Sequence, residues 1–120
     1  MVSGTLIADM KQLCSRYSLG FVEPNWDLIV GVSDNIMSGA MPVHGLRHRQ
    51  VKGTLGWYIY AGDTFPQEEN AFAPVCAVHL AQKNSHWVKY LALPEGWRFI
   101  TDQVGYEDVW YDSGLLEAKQ

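Results

Sequence analysis

Residues 96–112 read GWRFITDQVGYEDVWYD, the densest aromatic stretch in the chain. Trp97, Phe99, Tyr106, Trp110 and Tyr111 are woven together with Asp102, Glu107, Asp108 and Asp112, against one basic residue, Arg98. Residues 97–101 and 106–111 are short runs of bulky and β-branched side chains. Asp102-Gln103-Val104-Gly105 lies between them and ends in glycine, so a β-hairpin with a four-residue loop is predicted. If Thr101 pairs with Tyr106, Trp97 faces Trp110 and Phe99 faces Asp108. On the other side Ile100 meets Glu107 and Arg98 meets Val109. Neither side is cleanly apolar, although a half-buried antiparallel strand should alternate apolar and polar residues. Two readings stay open. Some rings anchor the hairpin while others sit beside carboxylates as a binding face, or all five rings are core and the acids keep an edge soluble.

The rest of the chain supplies what the hairpin packs on. Leu6, Ile7, Met10, Leu13, Cys14 and Tyr17 recur at helical spacing, so residues 5–18 are predicted as an amphipathic helix stopped by Gly20. Residues 27–32 (DLIVGV) suit a buried strand, and residues 43–51 (VHGLRHRQV) a strand with a basic side. GWYIYA at 56–61 is a strong strand signal, with Trp57, Ile59 and Ala61 on one face and Tyr58 and Tyr60 on the other. PVCAVHLAQ at 74–82 reads as a helix with proline in its first turn, and residues 85–91 as a second helical piece with Ser85 as a candidate N-cap. No repeat or linker interrupts the order of elements. The expected architecture is α+β: a single domain over residues 1–120, with an antiparallel sheet, an N-terminal helix and a second helical segment packed on it.

Net charge restricts the partner. A formal charge of -4 and a pI near 5.4 argue against a general nucleic-acid binder and suit a partner with a basic surface. No apolar run approaches the roughly 18 residues of a membrane span. The first residues, MVSGTLIADMKQLCSRY, lack the layout of a secretory signal, and two cysteines are too few for a disulfide framework, so cytoplasmic residence is expected. Whether Cys14 and Cys76 pair stays open.

Candidate chemistry is thin. His44 and His48 are four apart in an expected strand, about 13 Å of extended chain, too far to share one zinc. Cys76 and His79 share a face of the expected helix, but no CxxC or HExxH reinforces a metal site. As a nucleophile Cys76 lies in APVCAV, an apolar context that makes a thiol inert. The hairpin carboxylates lack any sign of one acid held in a cleft with a raised pKa. His44, Arg47, His48, Arg49 and Lys52 form a basic cluster that reads as a solvated strand face or as partners of the acidic hairpin. No phosphate-cradling loop is present. No enzyme activity and no cofactor is expected. A small-molecule pocket lined by Trp57, Trp97 and Trp110 is the alternative to a protein-binding role.

The residues also resemble a known family. Gly56-Trp57-Tyr58-Ile59-Tyr60-Ala61-Gly62-Asp63, then His79-Leu80, then residues 90–99 (YLALPEGWRF), then Gly105-Tyr106-Glu107-Asp108-Val109-Trp110 resemble bacterial immunity-protein family thirty-three across about residues 27–112. Many members carry Asp-Ser before the Gly-Trp pair, where this chain has Thr54-Leu55. The resemblance implies a stoichiometric inhibitor of a cognate toxin domain in a polymorphic toxin system, and no catalytic residues are carried over from it. Aromatic anchors would give affinity and the surrounding acids would steer a basic partner. The expected contact residues are Trp97, Tyr106, Glu107, Asp108, Trp110 and Asp112, with Asp63, Glu68 and Glu69 on the neighbouring connection.

Overall fold

A computed structural model describes residues 2–68, 70–83 and 86–117. Helix α1 (Gly4–Arg16) opens the described chain. Ser3 caps it, its Oγ accepting from the Leu6 N–H at 3.1 Å. Its apolar stripe buries Leu6, Met10, Leu13 and Cys14. The helix ends earlier than Gly20. Ser18 takes the left-handed conformation (φ 59), and the N–H groups of Ser18 and Leu19 bond back to Ser15 and Cys14, so the chain closes in a Schellman motif with serine where glycine is usual.

Six strands follow: β1 (Ile29–Ser33), β2 (Val43–Arg47), β3 (Thr54–Ala61), β4 (Phe72–Cys76), β5 (Trp97–Thr101) and β6 (Glu107–Tyr111). They form one sheet in the order β4-β1-β3-β2-β5-β6. The class is α+β, with α1 on the sheet. The sheet is mixed, not purely antiparallel, because β1 runs parallel to β3. A short helix α2 (Ala77–Lys83), a 3₁₀ segment at Val88–Ala92 and a final turn of helix α3 (Gly114–Glu117) complete the order, with a second 3₁₀ segment at Asp34–Ser38 after β1. Ser85, the expected cap, lies outside the described residues.

Residues 74–82 split differently from the expectation. Proline at 74 suits the first turn of a helix, but it equally suits an edge strand whose N–H would point outward. Phe72–Cys76 takes the second option as β4, and the helix starts only at Ala77. Cys76 therefore ends a strand and does not share a helix face with His79. Both cysteines are free, and Cys14 is buried.

The helical segments and one sheet face enclose a single core. Trp57, Ile59 and Leu55 of β3, Val30 and Val32 of β1, Val43 of β2 and Phe99 of β5 meet α1 and Tyr90, Leu91 and Leu93 there. Trp57 packs edge-on to Phe99 at 5.6 Å and donates its indole N–H to the Leu91 carbonyl. Gly45 makes room for Phe99, whose ring occupies the space a Cβ would need. The two Gly-Trp pairs are not alike: Gly56 (φ 88) lies inside β3, where the pairing with β1 slips, and precedes the buried Trp57, whereas Gly96 (φ 89) precedes β5 and the half-buried Trp97.

Candidate protein-interaction site

The predicted hairpin is β5–β6, one residue out of the expected register. Thr101 pairs with Glu107, Phe99 with Val109 and Trp97 with Tyr111, so the connection has five residues, 102–106. The Asp102 side chain explains the extra residue. Its Oδ1 accepts from the N–H groups of both Val104 and Tyr106 at 2.9 Å, and Thr101 Oγ1 donates to the Tyr106 carbonyl at 2.9 Å. The slip sorts the two faces. Phe99, Val109, Trp97 and Tyr111 share the core side. Arg98, Ile100, Asp108 and Trp110 share the opposite side.

That opposite side continues across the sheet in two rows. Strand register aligns Tyr60, His44, Ile100 and Asp108 in one, and Tyr58, Leu46, Arg98 and Trp110 in the next. His44 stacks flat on Tyr60 at 4.4 Å and its Nε2 lies 2.8 Å from the Gly62 carbonyl. Burial, opposed by that hydrogen bond, holds the His44 imidazole below its ordinary pKa, and burial does the same at His48. The Arg98 guanidinium lies over the Trp110 ring at 5.1 Å and pairs with Asp112 at 3.0 Å. Phe65, from the connection after β3, covers the far end by packing on Tyr60 and Phe72.

The residues singled out in the sequence fall into three groups. Asp108 and Tyr106 are exposed, and Trp110 is half-buried under Arg98. Asp112 is divided between Arg98 and the Gly114 N–H, which it caps at 3.0 Å to start α3. Trp97 and Glu107 lie on the helix side. Trp97 sits edge-on to Tyr17 at 6.4 Å and beside Tyr111 at 5.9 Å. Glu107 accepts two bonds from Arg16 (2.9 and 2.8 Å), one from Tyr17 (2.9 Å) and one from Tyr90 (2.6 Å). Burial works against its charge, but the bonds from Tyr90, Arg16 and Tyr17 outweigh it, and its pKa lies below the ordinary carboxylate range. Burial first, then the bond to Glu107, pushes the Tyr90 phenol well up. Asp63 and Glu68 are exposed on the connection after β3, which leaves the sheet at the same end as the hairpin loop. Glu68 borders a cleft of about 620 Å³ with Asp34, Asn35 and Phe65. Glu69 lies outside the described residues.

Arg98, Leu46 and His44 were not picked out as members of one surface. The period-two spacing of His44, Leu46 and His48 was the available signal, but it becomes a surface only once β2 is known to lie between β3 and β5. The basic cluster is not one patch either. Arg47 is drawn to the Leu55 and Leu93 carbonyls (2.8 and 2.6 Å), and Arg49 to the Leu116 carbonyl (2.8 Å). The hairpin acids pair instead with Arg16 and Arg98. The aromatic pocket fails for the same reason of facing: Trp57 is sealed in the core, Trp97 flanks it, and Trp110 is on the other side of the sheet. Among the described residues no three His, Cys, Asp or Glu side chains gather to hold a metal ion. Cys76 Sγ points at the Trp26 carbonyl at 3.4 Å, while His79 is exposed.

Comparison with known families resolves the resemblance: the Imm33-like domain matches residues 9–112, from within α1 to the end of the hairpin. The chain belongs to the Imm33-like family. The match takes in most of α1, which the sequence motifs alone had left outside. No curated protein and no solved structure matches this Imm33-like chain. Among its described residues no helix is long and apolar enough to cross a membrane.

Proposed function

We propose that this Imm33-like domain is an immunity protein that binds one cognate bacterial toxin domain and silences it by occupying its surface, not by chemistry. The family match over residues 9–112 carries this reading. The toxin presents a basic surface, to which the net charge of -4 is suited, and the complex forms in the cytoplasm with neither nucleic acid nor membrane as partner. Contact centres on Tyr106, Asp108, Trp110 and Asp112, with Trp97 and Glu107 holding the hairpin from behind. Asp63 and Glu68 extend the acidic surface, with Glu69 as a further proposed contact. Exposed aromatics give a partner area to bury, and the acids around them raise the encounter rate and reject acidic competitors.

Co-expression with the toxin encoded beside this gene tests the reading. Rescue of growth and a one-to-one complex on size exclusion are expected. A folded protein that neither rescues nor binds would refute it. Reversal of three exposed acids, Asp63→Lys, Glu68→Lys and Asp108→Lys, should weaken the complex at least tenfold, chiefly through slower association at low salt. Unchanged affinity in that folded variant would displace the contact surface without touching the immunity role.

A further inference from the structure

The two free edges of the sheet are β4 and β6, and they are not alike. In an antiparallel pair, residues alternate between bonding their neighbour strand and pointing their N–H and C=O away. Along β4, the Ala77 N–H bonds the Leu28 carbonyl, so in register Val75 and Ala73 face β1 while Phe72, Pro74 and Cys76 face outward. The outward position in the middle of β4 is a proline, which has no N–H to offer. That is a common way to blunt a sheet edge.

On β6 the same reasoning gives the opposite result. Asp112 N–H bonds the Gly96 carbonyl, and Asp102 N–H the Tyr106 carbonyl. Asp108 and Trp110 therefore bond β5, while Glu107, Val109 and Tyr111 point their N–H and C=O away from the sheet. None of these six outward groups bonds a backbone group of another described residue outside the sheet ladder. The edge holds no proline and no glycine. Its side chains sort by face: Asp108 and Trp110 on one, Val109 and half-exposed Tyr111 on the other.

Resting on the immunity reading, we propose that the free edge of β6 receives an extended strand of the toxin, whose side chains alternate basic and apolar. Strand addition supplies main-chain hydrogen bonds, and alternate side chains supply selectivity. A basic residue of the incoming strand falls beside Asp108, on the face that carries Trp110. Its apolar neighbours fall beside Val109 and Tyr111. A second copy of this chain is the poorer occupant, because Glu107 and Asp112 already have Arg16 and Arg98 as partners and a second β6 would bring another Asp108, not a cation, to the exposed Asp108.

Amide hydrogen exchange by NMR, on the free protein and on its complex with an inactivated form of the toxin domain encoded beside this gene, tests the proposal. In the free protein the Glu107, Val109 and Tyr111 amides should exchange far faster than those of Asp108 and Trp110, and in the complex they should become protected. Tyr111→Pro removes one outward N–H and no bond to β5, so the variant should fold and bind at least tenfold more weakly. Tight toxin binding with these amides still unprotected, or with Tyr111→Pro binding as the parent does, overturns the edge and leaves the immunity reading intact. No toxin binding at all overturns both. Protection of the same three amides in a toxin-free dimer assigns the edge to a second copy and overturns the toxin strand.

Discussion

Replacing Glu107 should cost more stability than replacing any other hairpin acid, because it joins α1, the Val88–Ala92 segment and β6. Its carboxylate accepts from Arg16, Tyr17 and Tyr90. These contributions are unequal. Arg16 is 43% exposed at its side chain, so its ion pair contributes about 0–1 kcal/mol. Tyr17 is half-buried and finds water if released, for a loss of about 0.5–1.5 kcal/mol. Tyr90 is 2% exposed, and stranding its hydroxyl costs about 1–3 kcal/mol. Glu107→Ala should therefore lower unfolding free energy by about 1.5–5.5 kcal/mol at neutral pH. Urea denaturation followed by tryptophan fluorescence measures this directly. The pH dependence supplies a second check. Glu107 has a depressed pKa in the folded state, so its contribution is fully present above the unfolded value of about 4.3 and is lost as pH falls through the lower folded value. The gap between parent and variant should narrow with acidification across that window. A loss under about 1 kcal/mol, or a gap that does not narrow in acid, would refute the bonding account.

Three other outcomes follow from the packing. Ser18→Gly should stabilise the protein by about 1 kcal/mol in the same denaturation assay, since Ser18 holds a left-handed conformation that costs a side-chain-bearing residue more than glycine. Gly45→Ala should destabilise by about 1–3 kcal/mol or more, because the added methyl meets the Phe99 ring, and Gly45→Ala with Phe99→Leu should recover part of the loss. Cys14 should resist thiol reagents in the native protein and react once urea unfolds it, because burial raises its thiol pKa and covers the sulfur; labelling with mass-spectrometric readout decides this.

What was legible in the sequence was whatever had a strong local period. The stripe of Leu6, Met10, Leu13 and Cys14 gave α1, and GWYIYA gave β3 with the correct facing of Trp57 and Tyr58. Local patterns did not reveal the register of the hairpin, because Asp102 folds back on Val104 and Tyr106 and lengthens the loop by one residue. Pro74 misled for a related reason: its fixed φ and missing N–H suit a helix start and an outward edge position equally. For the candidate site, the sequence marked the hairpin as rich in rings and acids but could not divide them. Glu107 reads like its neighbour Asp108, and only residues 90 or so positions away, at Arg16 and Tyr17, make it a half-buried tie and not a free surface acid. The parallel pairing of β1 with β3 was also out of reach, since it brings together strands that flank β2 in the chain.

Pro74 has a consequence for stoichiometry. A sheet with two receptive margins can be lengthened from both ends, and each addition exposes a new margin, so growth continues without a natural stop. With proline in the middle of one margin, only the other can accept a strand, and the first addition uses it up. Such a molecule can form a pair through that margin but cannot propagate a fibre.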